Sequence, residues 1–152
     1  MPKSIELRPL QARDRRQWRA LYRQYASFYA TTLSDAQLDR TWSWLMDPHH
    51  PVQGIVAASA EQQLLGLAHF RASPEPLLAQ EIAFLEDLFV APGARGEGIG
   101  RRLVRAVADS ALQRGWPLVR WVTADTNAQA RALYDQLARL THWVTYEVEV
   151  RR

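Results

Sequence analysis

The 152 residues suit one domain, since about 100–200 residues per domain is usual; 47% are hydrophobic and 23% charged, as in an average globular chain. That balance excludes a disordered chain, seven Gly and eight Pro exclude a collagen-like one, and the absence of Cys excludes disulfides, thiolate metal sites and a cysteine nucleophile. The net charge of +3 belongs with a pI near 9.7 because the nineteen basic residues are Lys3 and otherwise arginine, which stays protonated far above neutrality.

Residues 4–10 predict a short strand. Over 12–30, Trp18, Leu21, Tyr22, Tyr25, Phe28 and Tyr29 recur at helical spacing. Ser34-Asp35 caps a second helix running to about Met46, with Leu38, Trp42 and Leu45 inward. Val52–Ala60 and Gln63–Arg71 flank a polar Glu61-Gln62 turn and predict an antiparallel hairpin. Asp47–Pro51 and Ser73–Pro76 read as loops. Ile82–Val90 is a third apolar run, followed by a glycine loop and a helix over about 97–114, which Gly115 ends. Leu118–Ala124 returns as a strand, Asn127 opens a helix bearing Ala130, Leu133, Tyr134 and Leu137, and Trp143–Val150 closes as a strand. Trp116, Trp121 and Trp143 are expected to pack the sheet. The strand–helix–strand unit over 82–124 implies parallel strands with a right-handed crossover. The expected architecture is one domain, 1–152, of α/β (α+β) class: a mixed, mostly antiparallel sheet with a central parallel unit and flanking helices.

Most informative is Arg95-Gly96-Glu97-Gly98-Ile99-Gly100-Arg101-Arg102. Alternating glycines let backbone approach a ligand, and the helix start offers unpaired N–H groups with a partial positive charge. Together these make an anion site, usually for diphosphate, and Arg95 and Arg101 bracket it with guanidinium groups suited to phosphate oxygens. A Walker loop would need Lys-Ser/Thr where Arg101-Arg102 stand. A dinucleotide fingerprint would need glycine at Arg101 and an acid about twenty residues on. A plain glycine turn feeding a helix is the remaining alternative.

Arg-x-x-Gly-x-Gly at 95–100, after Phe84-Leu85-Glu86-Asp87-Leu88-Phe89-Val90, resembles the coenzyme A signature of the GNAT N-acetyltransferase superfamily. Asn127-Ala-Gln-Ala-Arg-Ala-Leu-Tyr134 is similar to that superfamily's helix after the fifth strand, and the order of elements agrees over essentially the whole chain. Leu85–Val90 and Thr141–Tyr146 look most like the small polyamine and histone-type acetyltransferases. One departure is the run Leu137-Ala138-Arg139-Leu140, which lacks the Gly often found soon after the tyrosine.

The resemblance implies acetyl transfer from acetyl-CoA to a primary amine, with a small cationic acceptor (polyamine or amino-acid-like) favoured. The alternatives are a protein or histone lysine acceptor, or a non-catalytic coenzyme-binding module. It places diphosphate on Arg95, Gly96, Glu97, Gly98, Ile99, Gly100 and Arg101, and pantetheine along Leu88, Phe89 and Val90 where the fourth and fifth strands splay. It also places an oxyanion-stabilising N–H near Leu88 and a coenzyme contact at Asn127. Tyr134 is the candidate general acid, because a phenol of pKa about 10 is protonated at neutral pH and can donate to the departing thiolate.

Glu86 and Asp87 are adjacent in a strand, so alternation sends their side chains to opposite faces; Glu86 is slightly preferred as the one facing the amine. A carboxylate of pKa about 4 is too weak to deprotonate an alkylammonium efficiently, so its expected role is cation recognition, with proton removal through water. The aromatic stretch 18–44 reads mainly as core, with Tyr29 a candidate wall of the acceptor site, since a cation can sit over an aromatic face. His69 is a candidate proton relay. No metal is expected, and His49 and His50 have no metal-ligand company.

No apolar run approaches the roughly 18 residues of a membrane span, and Met1–Glu6 does not read as a signal peptide. The expected setting is the cytoplasm, without membrane or nucleic-acid partners. The arginines of the first helix read as a solvated face, and a homodimer involving Trp143–Val150 is expected.

Overall fold

Alternating apolar runs in the first two-thirds of the chain form a sheet covered on both faces. The computed structural model describes residues 4–151. In chain order the elements are β1 (Ile5–Pro9), α1 (Arg15–Phe28), α2 (Asp35–Met46), β2 (Val52–Ser59), β3 (Leu64–Glu75), β4 (Gln80–Val90), α3 (Ile99–Gln113), β5 (Val119–Arg120) and α4 (Ala128–Leu137). Single 3-10 turns occupy Ala12–Asp14 and Pro92–Ala94, so the helix expected from residue 12 begins as a turn. These residues form two compact units, one ending at Val122 and the other beginning at Thr123.

In the first unit the sheet order is β1-β2-β3-β4-β5. All neighbours are antiparallel except β4 and β5, which are parallel; a fifteen-residue α3 supplies the crossover. On one face Trp18 and Leu21 of α1 and Leu38 and Trp42 of α2 bury against Val56, Leu67 and Phe89. The opposite face receives α3, where Ile99, Leu103, Val104, Val107 and Ala111 are buried. A Cβ on Gly66 would lie 3.0 Å from the Phe89 carbonyl oxygen and 3.1 Å from Leu103 Cδ1, so glycine lets α3 approach β3 and β4 closely here.

The ends of α1 and α2 are tied by charge. Arg15 and Arg19 bond Asp39 at 3.1 and 3.0 Å, Arg23 bonds Asp35 at 2.6 Å, and Arg19 also pairs with Asp35. Much of the positive charge on α1 is therefore answered by acids of α2.

Three expectations need correction. First, β3 runs through Ser73, Pro74 and Glu75, paired with Ile82, Glu81 and Gln80, where a loop is expected. The β2 ladder ends at Val52 opposite Arg71, so Pro74 lies past the last β2 partner, where a missing N–H breaks no ladder. Second, β5 is confined to Val119–Arg120 rather than 118–124. Third, residues 143–150 join no strand ladder, and Trp143 is 85% exposed. The alternation of Val144, Tyr146, Val148 and Val150 specifies one apolar side of an extended segment; it does not supply a neighbouring edge.

In the second unit, Asn127 caps α4 by accepting from the Ala130 N–H at 3.3 Å, as the helix-opening expectation requires. No helix among the described residues is long and apolar enough to cross a membrane.

Candidate active site

One irregularity in the β3–β4 ladder organises the polar side chains. Antiparallel pairing runs from Gly66 opposite Val90 to His69 opposite Asp87, then resumes with Phe70 opposite Leu85. Glu86 is thus the extra residue of a β-bulge, which breaks the strict alternation of a strand. Arg71 lies two residues from His69 and so on the same face of β3. Its Nε donates to Glu86 Oε1 at 2.6 Å, and its guanidinium lies 5.0 Å from the Phe84 ring centroid. Glu86 and Asp87 therefore both serve the face covered by α1, not opposite faces as alternation predicts. The bulge is the physical reason.

The two carboxylates differ in setting. Glu86 is engaged by Arg71 near solvent, whereas the Asp87 side chain is only 17% exposed. Asp87 Oδ2 lies 2.8 Å from His69 Nδ1 and accepts from the Tyr22 hydroxyl at 2.9 Å; the Tyr25 hydroxyl is a further partner of this carboxylate. Burial pushes the Asp87 carboxyl up, but the hydrogen bonds from His69, Tyr22 and Tyr25 outweigh it, holding the group below the usual carboxylate range. Burial and the neighbouring Asp87 charge raise both Tyr22 and Tyr25, so these phenols stay protonated donors. His69 in turn lies 2.9 Å through Nε2 from the Trp18 indole nitrogen.

The aromatic stripe of α1 continues from this cluster. Tyr22 stacks on Tyr25 at 5.7 Å, and Tyr25 meets Tyr29 at 5.2 Å and Phe89 at 5.8 Å edge-on. Tyr29 stands at the C-terminal end of α1, 42% exposed. Beyond it, Arg23, Ser27, Phe28, Phe89, Pro92 and Arg95 line a cavity of about 510 Å³. Arg95 is tied to the end of β4 by a 3.1 Å bond from Nε to the Val90 carbonyl, and its guanidinium lies 5.5 Å from the Phe89 ring centroid.

The loop beyond Arg95 has the properties expected of an anion cradle. Gly96 and Gly98 lie at φ +84° and +79°, the left-handed region that side chains rarely adopt, and a Cβ on either would meet nothing within 4 Å. Backbone conformation, not crowding, calls for glycine, and the space beside the loop is open. Gly98 caps α3, and its carbonyl accepts the first helical bond from the Arg102 N–H at 3.1 Å. The first N–H groups of a helix have no acceptor within it, and no acid occupies the first turn of α3. Glu97 precedes this turn.

Strand β4 also presents a free edge. Its pairing with β5 is limited to Ala83 with Val119 and Phe84 with Arg120. From Leu85 through Leu88, Phe89 and Val90 the β5 side of β4 has no strand partner among the described residues.

The first unit thus brings Tyr29, Glu86, Asp87, Leu88, Phe89, Val90, Arg95 and the 96–101 loop onto two adjoining stretches of chain and the helix that covers them. Asn127 and Tyr134 belong to the second unit. Asn127 combines its cap with a 3.4 Å contact from Nδ2 to Thr123 Oγ1, and Tyr134 is half-buried on α4, two turns along. Sequence reasoning missed Tyr22 and Tyr25 as donors to Asp87. The available signal was tyrosine rather than phenylalanine on a buried stripe, since a buried phenol needs a partner for its O–H.

Known proteins resemble the chain in sequence and in fold. A D-amino-acid N-acetyltransferase of Saccharomyces cerevisiae is 29% identical over 144 residues, covering 94% of this chain and 89% of the relative. A thialysine N-epsilon-acetyltransferase of Bos taurus is 41% identical over 54 residues, covering 36% of this chain and 32% of the relative. The solved structure of an aminoglycoside N-acetyltransferase in complex with CoA superposes with a TM-score of 0.83 at 19% identity, covering 98% of this chain and 97% of that one. It shares the fold. The family model described as Acetyltransferase (GNAT) family matches residues 18–138, from the Trp18 of the Asp87 network through the glycine loop and Tyr134, and the chain belongs to that family.

Proposed function

We propose that the chain, acting as one catalytic domain, moves an acetyl group from acetyl-CoA to a primary amine of a small cationic acceptor, amino-acid-like or polyamine. The observation that carries this reading is the half-buried carboxylate of Asp87, held by three donors three residues before the end of the strand that leads into the glycine loop. Relatives named for D-amino acids and for thialysine fit an amine acceptor of this size.

Acetyl-CoA fits the residues present. Its diphosphate would lie on the open 96–101 loop between Arg95 and Arg101, and its pantetheine along the unpaired edge at Leu88, Phe89 and Val90, with Asn127 as a further contact. Acetyl-CoA supplies a thioester. The amine nitrogen forms the new N–C bond as the C–S bond breaks, and the backbone N–H near Leu88 stabilises charge on the carbonyl oxygen. Tyr134 gives its proton to the departing thiolate. Asp87 attracts the cationic acceptor, with Glu86, partly neutralised by Arg71, at the rim beside it. A carboxylate favours the ammonium form, so the proton shed by the amine leaves through water.

Release of free thiol from acetyl-CoA across a panel of D-amino acids, thialysine, ornithine and polyamines tests this directly, because a protein without Cys contributes no background. At least one small amine is expected to turn over, and Asp87→Asn is expected to raise its KM by about tenfold or more, the scale of a hydrogen bond to a charged group. Turnover of a lysine-containing peptide alone would contradict the small-acceptor reading. We also propose a homodimer; segment 143–150, with Tyr146 89% and Val148 85% exposed, is the surface that supports it.

A further inference from the structure

We propose that Trp18 is a positioning residue of the acceptor site: its indole N–H fixes His69 as an Nδ1–H donor, which holds the Asp87 carboxylate in place for the amine. This rests on the reading of Asp87 as the acceptor's anchor. It reassigns His69 from proton relay to fixed support.

The Trp18 indole offers a single polar group. Its Nε1–H is a donor only, and it stands 2.9 Å from His69 Nε2. That nitrogen must therefore present its lone pair, which places the ring's proton on Nδ1. Nδ1 lies 2.8 Å from Asp87 Oδ2, a carboxylate oxygen that can accept it. The second nitrogen of a histidine is thus set by the bond its first nitrogen makes. Both ring nitrogens are committed, and His69 has no vacant lone pair for a proton from the acceptor. A proton arriving at Nε2 would set N–H against N–H.

Packing keeps this arrangement from relaxing. Trp18 is 1% exposed and His69 2% exposed. The indole stacks on Tyr22 at 5.3 Å and lies 5.1 Å from Trp42 of α2; Tyr22 also meets the His69 ring edge-on at 4.8 Å. Swinging the indole away would disturb α1, α2 and β3 together. The titratable groups facing Asp87 are Tyr22 and Tyr25 from α1 and His69 from β3, with Glu86 beside it on β4 and Arg71 engaging Glu86. Trp18 and Trp42 contribute no charge. The anchor is therefore braced by a chain of donors, Trp18 to His69 to Asp87, and by two phenols, with His69 and Tyr22 on the same carboxylate oxygen.

The test is spectroscopic first and kinetic second, on the full chain labelled with nitrogen-15. Long-range proton–nitrogen spectra at pH 7 are expected to show His69 protonated at Nδ1 and bare at Nε2. A scalar coupling across the hydrogen bond should link the Trp18 indole nitrogen to His69 Nε2. An Nε2–H tautomer or an imidazolium would overturn the inference, and so would absence of the coupling, and neither reading requires turnover. Trp18→Phe is expected to release the tautomer and raise the amine KM by about tenfold, the size of one lost buried hydrogen bond, without changing the KM for acetyl-CoA. His69→Asn, whose amide can still donate to Asp87, is expected to retain more amine affinity than His69→Ala. If Trp18→Phe leaves tautomer and amine KM unchanged, Trp18 is only core. If the spectra agree but no amine reacts, the functional reading fails and the tautomer assignment stands.

Discussion

With phenylalanine in place of Tyr134, kcat at saturating substrates is expected to fall about a hundredfold, while acetyl-CoA affinity stays near that of the native chain. General acid catalysis contributes about 10²–10⁴-fold, and the low end applies because a thiolate, with pKa about 8.5 for its thiol, leaves more readily than an alkoxide. Phenylalanine keeps the ring of a half-buried position on α4 and removes only the proton donor. Asn127 lies seven residues earlier, as the N-cap of the same helix. A kcat within about twofold of the native value, against the hundredfold expected of a lost acid, would remove Tyr134 from the chemistry.

A second large effect is expected far from the reacting atoms, at the buried pair of Arg8 and Asp14. Arg8 reaches both carboxylate oxygens, at 2.7 and 2.9 Å, and the two residues are 6% and 2% exposed. Asp14 Oδ2 also accepts the Gln11 N–H at 2.8 Å, and Gln62 Oε1 receives Arg8 Nε at 3.3 Å. Asp14→Asn can keep the Gln11 bond but strands a buried guanidinium without a counter-charge. Breaking one partner of a buried pair costs about 3–5 kcal/mol, measurable by urea unfolding. A loss below about 1 kcal/mol, the value of an exposed pair, would contradict this account.

The same pair sets a pH dependence. Burial pushes Asp14 up, but the bonds from Arg8 and Gln11 outweigh it and hold the carboxyl below its ordinary value. A depressed carboxylate contributes stability that is fully present above the unfolded pKa of about 4 and is lost as pH falls through the lower folded value. Asp87, lowered by its own donors, adds to the same acid-side loss. Unfolding free energy is expected to drop as pH falls below about 4, and less steeply in Asp14→Asn.

Local signals carried most of the fold. The glycine loop, the Asn127 cap and the apolar repeats of α1 and α3 are contiguous, so their geometry follows from neighbours in sequence. What sequence alone could not supply were relations across the sheet. The bulge at Glu86 is visible only once β3 and β4 are set in register, and it decides that Glu86 and Asp87 share a face. Trp18, His69 and Asp87 are 51 and 18 residues apart in turn, too far for spacing to predict their contact. Pro74 read as a breaker because the end of the β2 ladder, which tolerates it, is also a tertiary fact. Segment 143–150 shows the converse, since its strand pattern pairs with no strand among the described residues.

The loop from Arg95 to Arg101 is proposed to hold acetyl-CoA, and calorimetric titration of the native chain beside Gly98→Glu is the decisive measurement. Gly98 stands at φ +79° as the cap of α3; glutamate there strains the backbone and sets a negative charge against the anion site. Saturable binding by the native chain, lost in a Gly98→Glu variant whose circular dichroism is unchanged, is the predicted result. A folded native chain that takes up no acetyl-CoA, or a variant that binds it equally well, would contradict the assignment.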